Sequence, residues 1–334
     1  PRAVSWLAAA PTATLRVLLH SCRAQPALGA ALATDAQLQT ALWACATSSD
    51  GASSTSAAES APLLALLLLA LLLAHGAQQT IQQTRSEAVQ VALPHVSSLA
   101  RLLVPPVLSN DDADAINPSE MPSGTAVACA SAAAGCLAEL LRADGSAAHA
   151  LSTLQAERGD GSLQRALVWL EILGQNDCRA ATETALRDAE GDCFGMPWTR
   201  AADGFAALLQ RLLLRLPRKH AHLATIPKPS FWRAIASTLV SMSDNGGGAP
   251  LLAPSGTLAL VKAAHEALSK LAETSAAKLL HSGLLSALIN LLDGPRANGA
   301  ASPLSIIRNA PAARGGGSAA AAAVLNAVSL TLYV

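Results

Sequence analysis

Leucine and alanine recur every three or four residues along the whole chain, in segments separated by breaks rich in glycine, proline and serine. In the segment 204–216, for example, Phe205, Leu208, Leu209, Leu212 and Leu213 mark one face of a helix. A stripe of this kind is typical of an amphipathic helix with one face in a core. Aromatic residues make up only 3 % of the 334 residues, so residues that favour strands are scarce. The pattern predicts an all-α protein.

The most hydrophobic segment reads LLALLLLALLLA from Leu63 to Ala74, directly after Pro62. A helix of this length measures about 18 Å, which is shorter than the ~30 Å hydrocarbon core of a bilayer. We therefore expect a helix that starts near Pro62 and is buried in protein on nearly all sides, and no membrane span.

The breaks between segments show how the chain is organised. We expect flexible loops at 48–60, 105–124, 244–254 and 294–317, because these stretches are rich in Gly, Pro, Ser, Asn or Asp. Nothing else divides the chain, so residues 1–334 are predicted to form one continuous, irregular helical array. The first residue is Pro1, and we expect the sequence to be a fragment of a longer chain.

The C-terminal part of the chain, 258–332, resembles armadillo and HEAT repeats. Alanine and leucine alternate through one helix, a glycine follows a short second helix, and an LxxLxxLL-like pattern comes next. The matching positions are Ala263, Ala264, Ala267, Leu268, Leu271, Ala272, Leu279, Leu280, Gly283, Leu285, Leu288, Leu291, Leu292, Ala322, Ala323, Leu325 and Val328. The insertion 295–317 and the uneven spacing upstream depart from the period of ~40–47 residues in such arrays. The resemblance implies an irregular armadillo-like α-solenoid, which is a superhelical stack of helix pairs or triplets.

A search for catalytic and metal-binding motifs finds none that is complete. The chain has no GxGxxG, P-loop or GxSxG pattern. His265 and Glu266 resemble the start of a zinc-protease helix, but the second His four residues on is missing. His220 and His222 lie in a segment without a nearby Cys or carboxylate, which favours simple solvation. We expect no catalytic residue, no metal and no cofactor.

The pattern of cysteines indicates a reducing cellular compartment. None of the six forms a CxxC pair, and a chain of this length does not need disulfides to fold. Cys129 and Cys136 are predicted to share the buried face of an alanine-rich helix rather than to act in redox chemistry. The expected location is therefore the cytoplasm.

One local charge imbalance stands out in a chain whose formal net charge is zero. From 204 to 243 there is no acidic residue, and we call the six cations there the basic ridge. Its members are Arg211, Arg215, Arg218, Lys219, Lys228 and Arg233. The preceding stretch 171–192 has an acidic excess. The ridge either binds an acidic or phosphorylated partner or is matched internally by that acidic stretch. Nucleic acid is a poor partner, because aromatic residues that stack on bases are almost absent.

Together these patterns favour a non-enzymatic scaffold that binds other proteins, including proteins with acidic segments. The resemblance implies a subunit of a larger complex, with a cytoskeletal or ciliary assembly as one setting. The alternative is a helical regulatory or docking region of a larger enzyme, such as a kinase or ubiquitin ligase, whose catalytic domain lies outside this sequence.

Overall fold

The computed structural model describes residues 2–47, 56–78, 91–104, 122–143, 162–174, 176–191, 199–215, 228–240, 252–270 and 283–293. In these ranges the chain forms helices and no strand, which confirms the all-α prediction. The helices are α1 (Arg2–Ala9), α2 (Pro11–Ala24), α3 (Pro26–Leu32), α4 (Ala36–Thr47), α5 (Ser56–Gln78), α6 (Val96–Leu102), α7 (Gly124–Ala143), α8 (Ser162–Leu173), α9 (Asn176–Glu190), α10 (Asp203–Arg215), α11 (Lys228–Val240), α12 (Pro254–Lys270) and α13 (Leu284–Asp293). A 3₁₀ turn, Leu93–His95, precedes α6.

Five helices pack one against the next in chain order, and we call them row A. They are α2, α5, α7, α10 and α12. The apolar stripe predicted in 204–216 is the buried face of α10, with Phe205 and Leu208 fully buried. Helix α9 packs beside row A, on α5 and α7. Row A therefore contains most of the core that the Ala and Leu residues form.

Neighbouring helices in row A run in the same direction. Between α5 and α7, the carbonyl oxygen of Leu66 lies 3.2 Å from Cys136 Sγ, and that of Ala74 accepts a hydrogen bond of 2.9 Å from Arg142. Residues farther along α5 therefore contact residues farther along α7, so the two helices are parallel. Between α7 and α10, Gly204 lies against Ser131, and the charge of Glu139 acts on Arg211 further along. Parallel neighbours need a return segment between them, because the chain must travel back before each new helix starts.

The return segments form a second line of helices, which we call row B: α4, α6, α8, α11 and α13. The two rows alternate along the chain. Trp43 of α4 stacks on His95 at the start of α6, with ring centroids 4.7 Å apart. Trp169 of α8 donates a 3.0 Å hydrogen bond to the carbonyl oxygen of Leu103 after α6. Farther on, α8 packs on α11 and α11 on α13.

The apolar helix is buried as predicted, but it starts earlier than expected. Residues Leu63 to Leu69 are at most 7 % exposed, because α2, α4, α7 and α9 surround them. Helix α5 begins at Ser56, so 56–60 is helix where a loop was predicted, and Pro62 lies inside the helix. Residues 48–55, 105–121, 244–251 and 294–317 of the predicted loops lie outside the described residues.

A different helix meets the length and composition criteria for a membrane span. Among the described residues this is Gly124–Arg142 of α7. Since 67 % of that window is buried inside the protein, a core helix accounts for its composition equally well.

Candidate functional site

A cavity of about 450 Å³ opens on row A and touches all five of its helices. We call it the row-A groove. Packed helices lie 8–10 Å apart, so a flat row of five would extend over roughly 40 Å. The groove therefore extends over the width of row A.

Small residues bring the helices below the groove into close contact. Gly135, Gly204 and Gly256 all line it. A Cβ atom on Gly204 would collide with the carbonyl oxygen of Ser131, and one on Gly256 would collide with the carboxylate of Asp203. A Cβ on Gly135 would meet Ala70 Cβ and Gly204 Cα at ordinary distances of 3.8 and 3.9 Å. Glycine is thus required where α10 meets α7 and α12, but not at position 135.

One end of the groove is organised by the carboxyl group of Asp203. Its Oδ1 accepts a 2.8 Å hydrogen bond from the backbone N–H of Ala253, and its Oδ2 accepts one of 3.3 Å from Arg200. It therefore ties the start of α12 to the start of α10. Burial raises the pKa of Asp203 to about 7, against the lowering effect of those N–H groups and of the Arg200 charge.

Two further carboxylates complete this corner. Glu190 Oε1 accepts from Thr199 N at 3.4 Å, and Glu183 Oε1 accepts from Ala201 N at 3.1 Å. With Asp203, three successive backbone N–H groups before α10 each donate to a carboxylate. These backbone donors lie in the turn before the helix and need partners from outside it, which the three acids supply.

A basic stripe on α2 holds the end of α9 beside the same corner. Arg16 Nε and His20 Nε2 donate to the carbonyl oxygens of Ala189 and Glu190, at 2.6 and 2.9 Å. Arg23 binds both carboxylate oxygens of Glu190, at 2.9 and 3.0 Å. The last carbonyls of a helix lack partners within it and carry partial negative charge, which cations offset.

The opposite end of the groove contains Glu139 and Arg211. Glu139 Oε2 forms an ion pair of 2.5 Å with Arg142, one turn along α7. Burial lowers the pKa of Arg211; Glu139 acts to raise it, while Arg142 and Arg215 lower it further. Arginines from two helices, Arg142 and Arg211, therefore interact with the charge of one carboxylate.

The structure divides the predicted basic ridge. Arg211 lines the groove, and Arg215 is exposed one turn farther along α10. Arg233 is on α11 in row B, where its charge acts on Glu171. Lys228 starts α11 without a described side chain, and Arg218 and Lys219 lie outside the described residues. The carboxylates of Glu183 and Glu190 bind arginines outside the ridge, namely Arg200 and Arg23.

The remaining residues singled out from the sequence are dispersed. Cys136 is buried and Cys129 half-buried on α7, and burial raises the pKa of both thiols, that of Cys129 to about 12. His265 and Glu266 are half-buried on α12, and 220–222 lies outside the described residues. Within the described ranges, no three His, Cys, Asp or Glu side chains are grouped so that they could hold a metal ion.

Sequence reasoning did not find the groove residues Asp203, Glu139 and Arg23. Their neighbours are distant in the chain, and no motif connects them. Two local signals were present: the Arg16, His20 and Arg23 spacing along one helical face, and Asp-Gly at the start of the α10 stripe.

Comparison of the chain with protein families, with curated proteins and with solved structures finds no match in any of the three. The function is therefore inferred from the geometry and charge of the row-A groove.

Proposed function

We propose that this chain is a non-enzymatic scaffold that binds a segment of another protein in the row-A groove. The observation that carries the proposal is the cavity itself, which is bordered by all five helices of row A. A small-molecule pocket buries most of its ligand's surface. An open groove bordered by a row of helices suits a chain segment that enters at one end and leaves at the other.

The proposed architecture is an α-solenoid. It is supported by the alternation of rows A and B and by the parallel orientation of neighbours within row A. Row-B helices begin at residues 36, 96, 162, 228 and 284, a spacing of about 60 residues where armadillo and HEAT repeats have ~40–47. Gly283, whose φ of 75° suits glycine, starts the turn into α13 where the armadillo pattern has its glycine. The array we propose is thus an irregular one with long insertions.

The chemistry of the groove favours an extended segment. Small residues such as Gly135, Ala207 and Ala259 line it, so a bound backbone can approach the helices closely. Asp203 and Arg211, near its two ends, are eight residues apart on α10, or roughly 12 Å at 1.5 Å per residue. That distance corresponds to about four residues of extended chain. The partner is expected to contribute a short linear segment within a multi-subunit complex.

The test is site-specific photo-cross-linking in the native complex. A photoreactive residue replaces Gln210 in the groove or, as a control, the exposed Ser237 on row B. We expect position 210 to cross-link to one short segment of one neighbouring protein, and position 237 not to reach that segment. Ala207→Leu, which narrows the groove, should abolish the cross-link while the circular dichroism spectrum stays unchanged.

Two results would contradict the proposal. One is a Gln210 cross-link only to residues of the same chain. The other is identical cross-links from both positions, which would indicate contact without use of the groove. A cross-link that maps into a catalytic domain would instead favour a regulatory region of a larger enzyme.

A further inference from the structure

Three arginines lie near the ends of α7 and α10, at one edge of the row-A groove. Arg142 is in the last turn of α7 and Arg215 in the last turn of α10, with Arg211 between them at the groove. We call these three residues the arginine cluster. Arg211 is half-buried, and both other arginines act on its charge.

Among the described residues, Glu139 is the acidic group that acts on Arg211, and it is already ion-paired with Arg142 at 2.5 Å. Arg142 also donates to the carbonyl oxygen of Ala74 at 2.9 Å. Among the described side chains, Arg142 and Arg215 act on Arg211 with positive charge and Glu139 acts on it with negative charge, so positive charge predominates around Arg211. Like charges held together in a half-buried site oppose one another, and an incoming anion relieves that repulsion.

We propose that the arginine cluster binds side-chain carboxylates of an acidic segment, with Arg211 and Arg215 each taking one Asp or Glu. This inference rests on the proposed function, because it names the chemistry of the segment in the groove. Guanidinium groups form paired hydrogen bonds with carboxylates, a geometry that lysine does not offer.

The spacing of the two arginines suggests a pattern in the partner. Arg211 and Arg215 are four residues apart on one helix face, so their Cβ atoms are about 6 Å apart. In an extended chain, side chains two residues apart lie on the same side, separated by about 6.7 Å. The expected recognition element is therefore Glu-x-Glu or Asp-x-Asp in extended conformation.

This proposal narrows the basic ridge predicted from the sequence. Arg233 is excluded from the cluster because it lies on row B near Glu171. Arg142 is added, although it lies far outside the segment 204–243. The two versions differ in whether Arg233 contributes to binding, and that difference is testable.

The experiment measures binding of fluorescein-labelled peptides to the full chain by fluorescence anisotropy at 50 and 200 mM NaCl. One peptide repeats Glu-Ser-Glu-Gly, a second has Gln in place of each Glu, and a third has phosphoserine in place of each Glu. The Glu peptide should bind at least tenfold more tightly than the Gln peptide at low salt, and this ratio should fall at high salt.

Variants assign the effect to residues. Arg211→Gln with Arg215→Gln should bring the Glu-to-Gln affinity ratio close to one. Arg233→Gln and Arg101→Gln, which each remove an exposed arginine from row B, should leave the ratio unchanged. Circular dichroism melts verify that every variant is folded.

Four outcomes would overturn the inference. If the double variant lowered Tm and left the Glu-to-Gln affinity ratio unchanged, the arginines would only stabilise the C-terminal ends of α7 and α10 and would not bind the segment. If Arg233→Gln reduced the Glu-to-Gln affinity ratio as much as the double variant did, the binding site would be the basic ridge and not the arginine cluster. If the phosphoserine peptide bound and the Glu peptide did not, the site would recognise phosphate groups and not carboxylates. Equal binding of Glu and Gln peptides, with the Gln210 cross-link intact, would refute the acidic preference and leave the proposed function standing.

Discussion

Single atoms decide how closely the row-A helices approach one another. At Gly204 the backbone of α10 lies against the Ser131 carbonyl of α7, with no room for a Cβ atom. At Gly135, on the same groove, there is room for one. Both residues are glycines in alanine-rich helices, and the sequence does not distinguish them. Only the partner helix, distant in the chain, shows which glycine is required.

This difference predicts opposite effects of two matched substitutions. Gly204→Ala should lower the free energy of unfolding by about 1–3 kcal/mol, because α7 and α10 must move apart. Gly135→Ala should be neutral or stabilising by up to about 1 kcal/mol, since alanine favours helix and its methyl group fits. Urea titrations monitored by circular dichroism measure both. Equal effects at the two positions would refute the close contact.

At the scale of elements, the pattern of apolar residues predicted a helix at 204–216, which the structure has at 203–215, and the burial of α5. It placed the start of α5 too late, because Pro62 was interpreted as a first-turn residue, whereas the structure holds it inside the helix. The sequence located Arg211 and Arg215 on one helix face. It could not show Glu139 or Arg142 beside them, because packing between helices and not local spacing brings those residues together.

Asp203 makes the junction of α10 and α12 sensitive to pH. Its pKa is raised to about 7 in the folded protein, above the ordinary 3.8, so the folded state binds the proton more tightly. Its contribution to stability is therefore fully present below pH 4 and is lost as pH rises towards and through 7. The N–H bonds from Ala253 and Arg200 limit that loss without cancelling it.

Asp203→Asn removes the titrating group. Between pH 5 and 7 the wild type should lose stability relative to this variant by about 1 kcal/mol per pH unit. Urea titrations at pH 5, 6, 7 and 8 measure the difference. The control Asp177→Asn, at an exposed carboxylate on α9, should give the same difference from wild type at every pH. A constant offset for Asp203→Asn as well would show that its carboxyl group is already ionised at pH 5.

At the scale of the whole molecule, two alternating rows predict an elongated and curved particle. A compact protein of 334 residues has a radius of gyration of about 20 Å. Small-angle X-ray scattering of the purified chain should give a value well above that, with a distance distribution that has a long tail. A radius near 20 Å with a symmetric distribution would favour a closed helical bundle and count against the solenoid.

The parallel orientation of the row-A helices has an electrical consequence. In a bundle of antiparallel helices, neighbouring peptide dipoles largely cancel, whereas in row A they add. On the row-A side of the molecule, one border therefore presents helix starts and has positive partial charge, and the opposite border presents helix ends and has negative partial charge, while the returning row-B helices have the reverse arrangement on the other side. Two copies brought side by side in the same orientation would place opposite borders together, and copies related by a twofold axis would place like borders together. Copies that meet along these borders would therefore favour the same orientation, and the assembly would be polar.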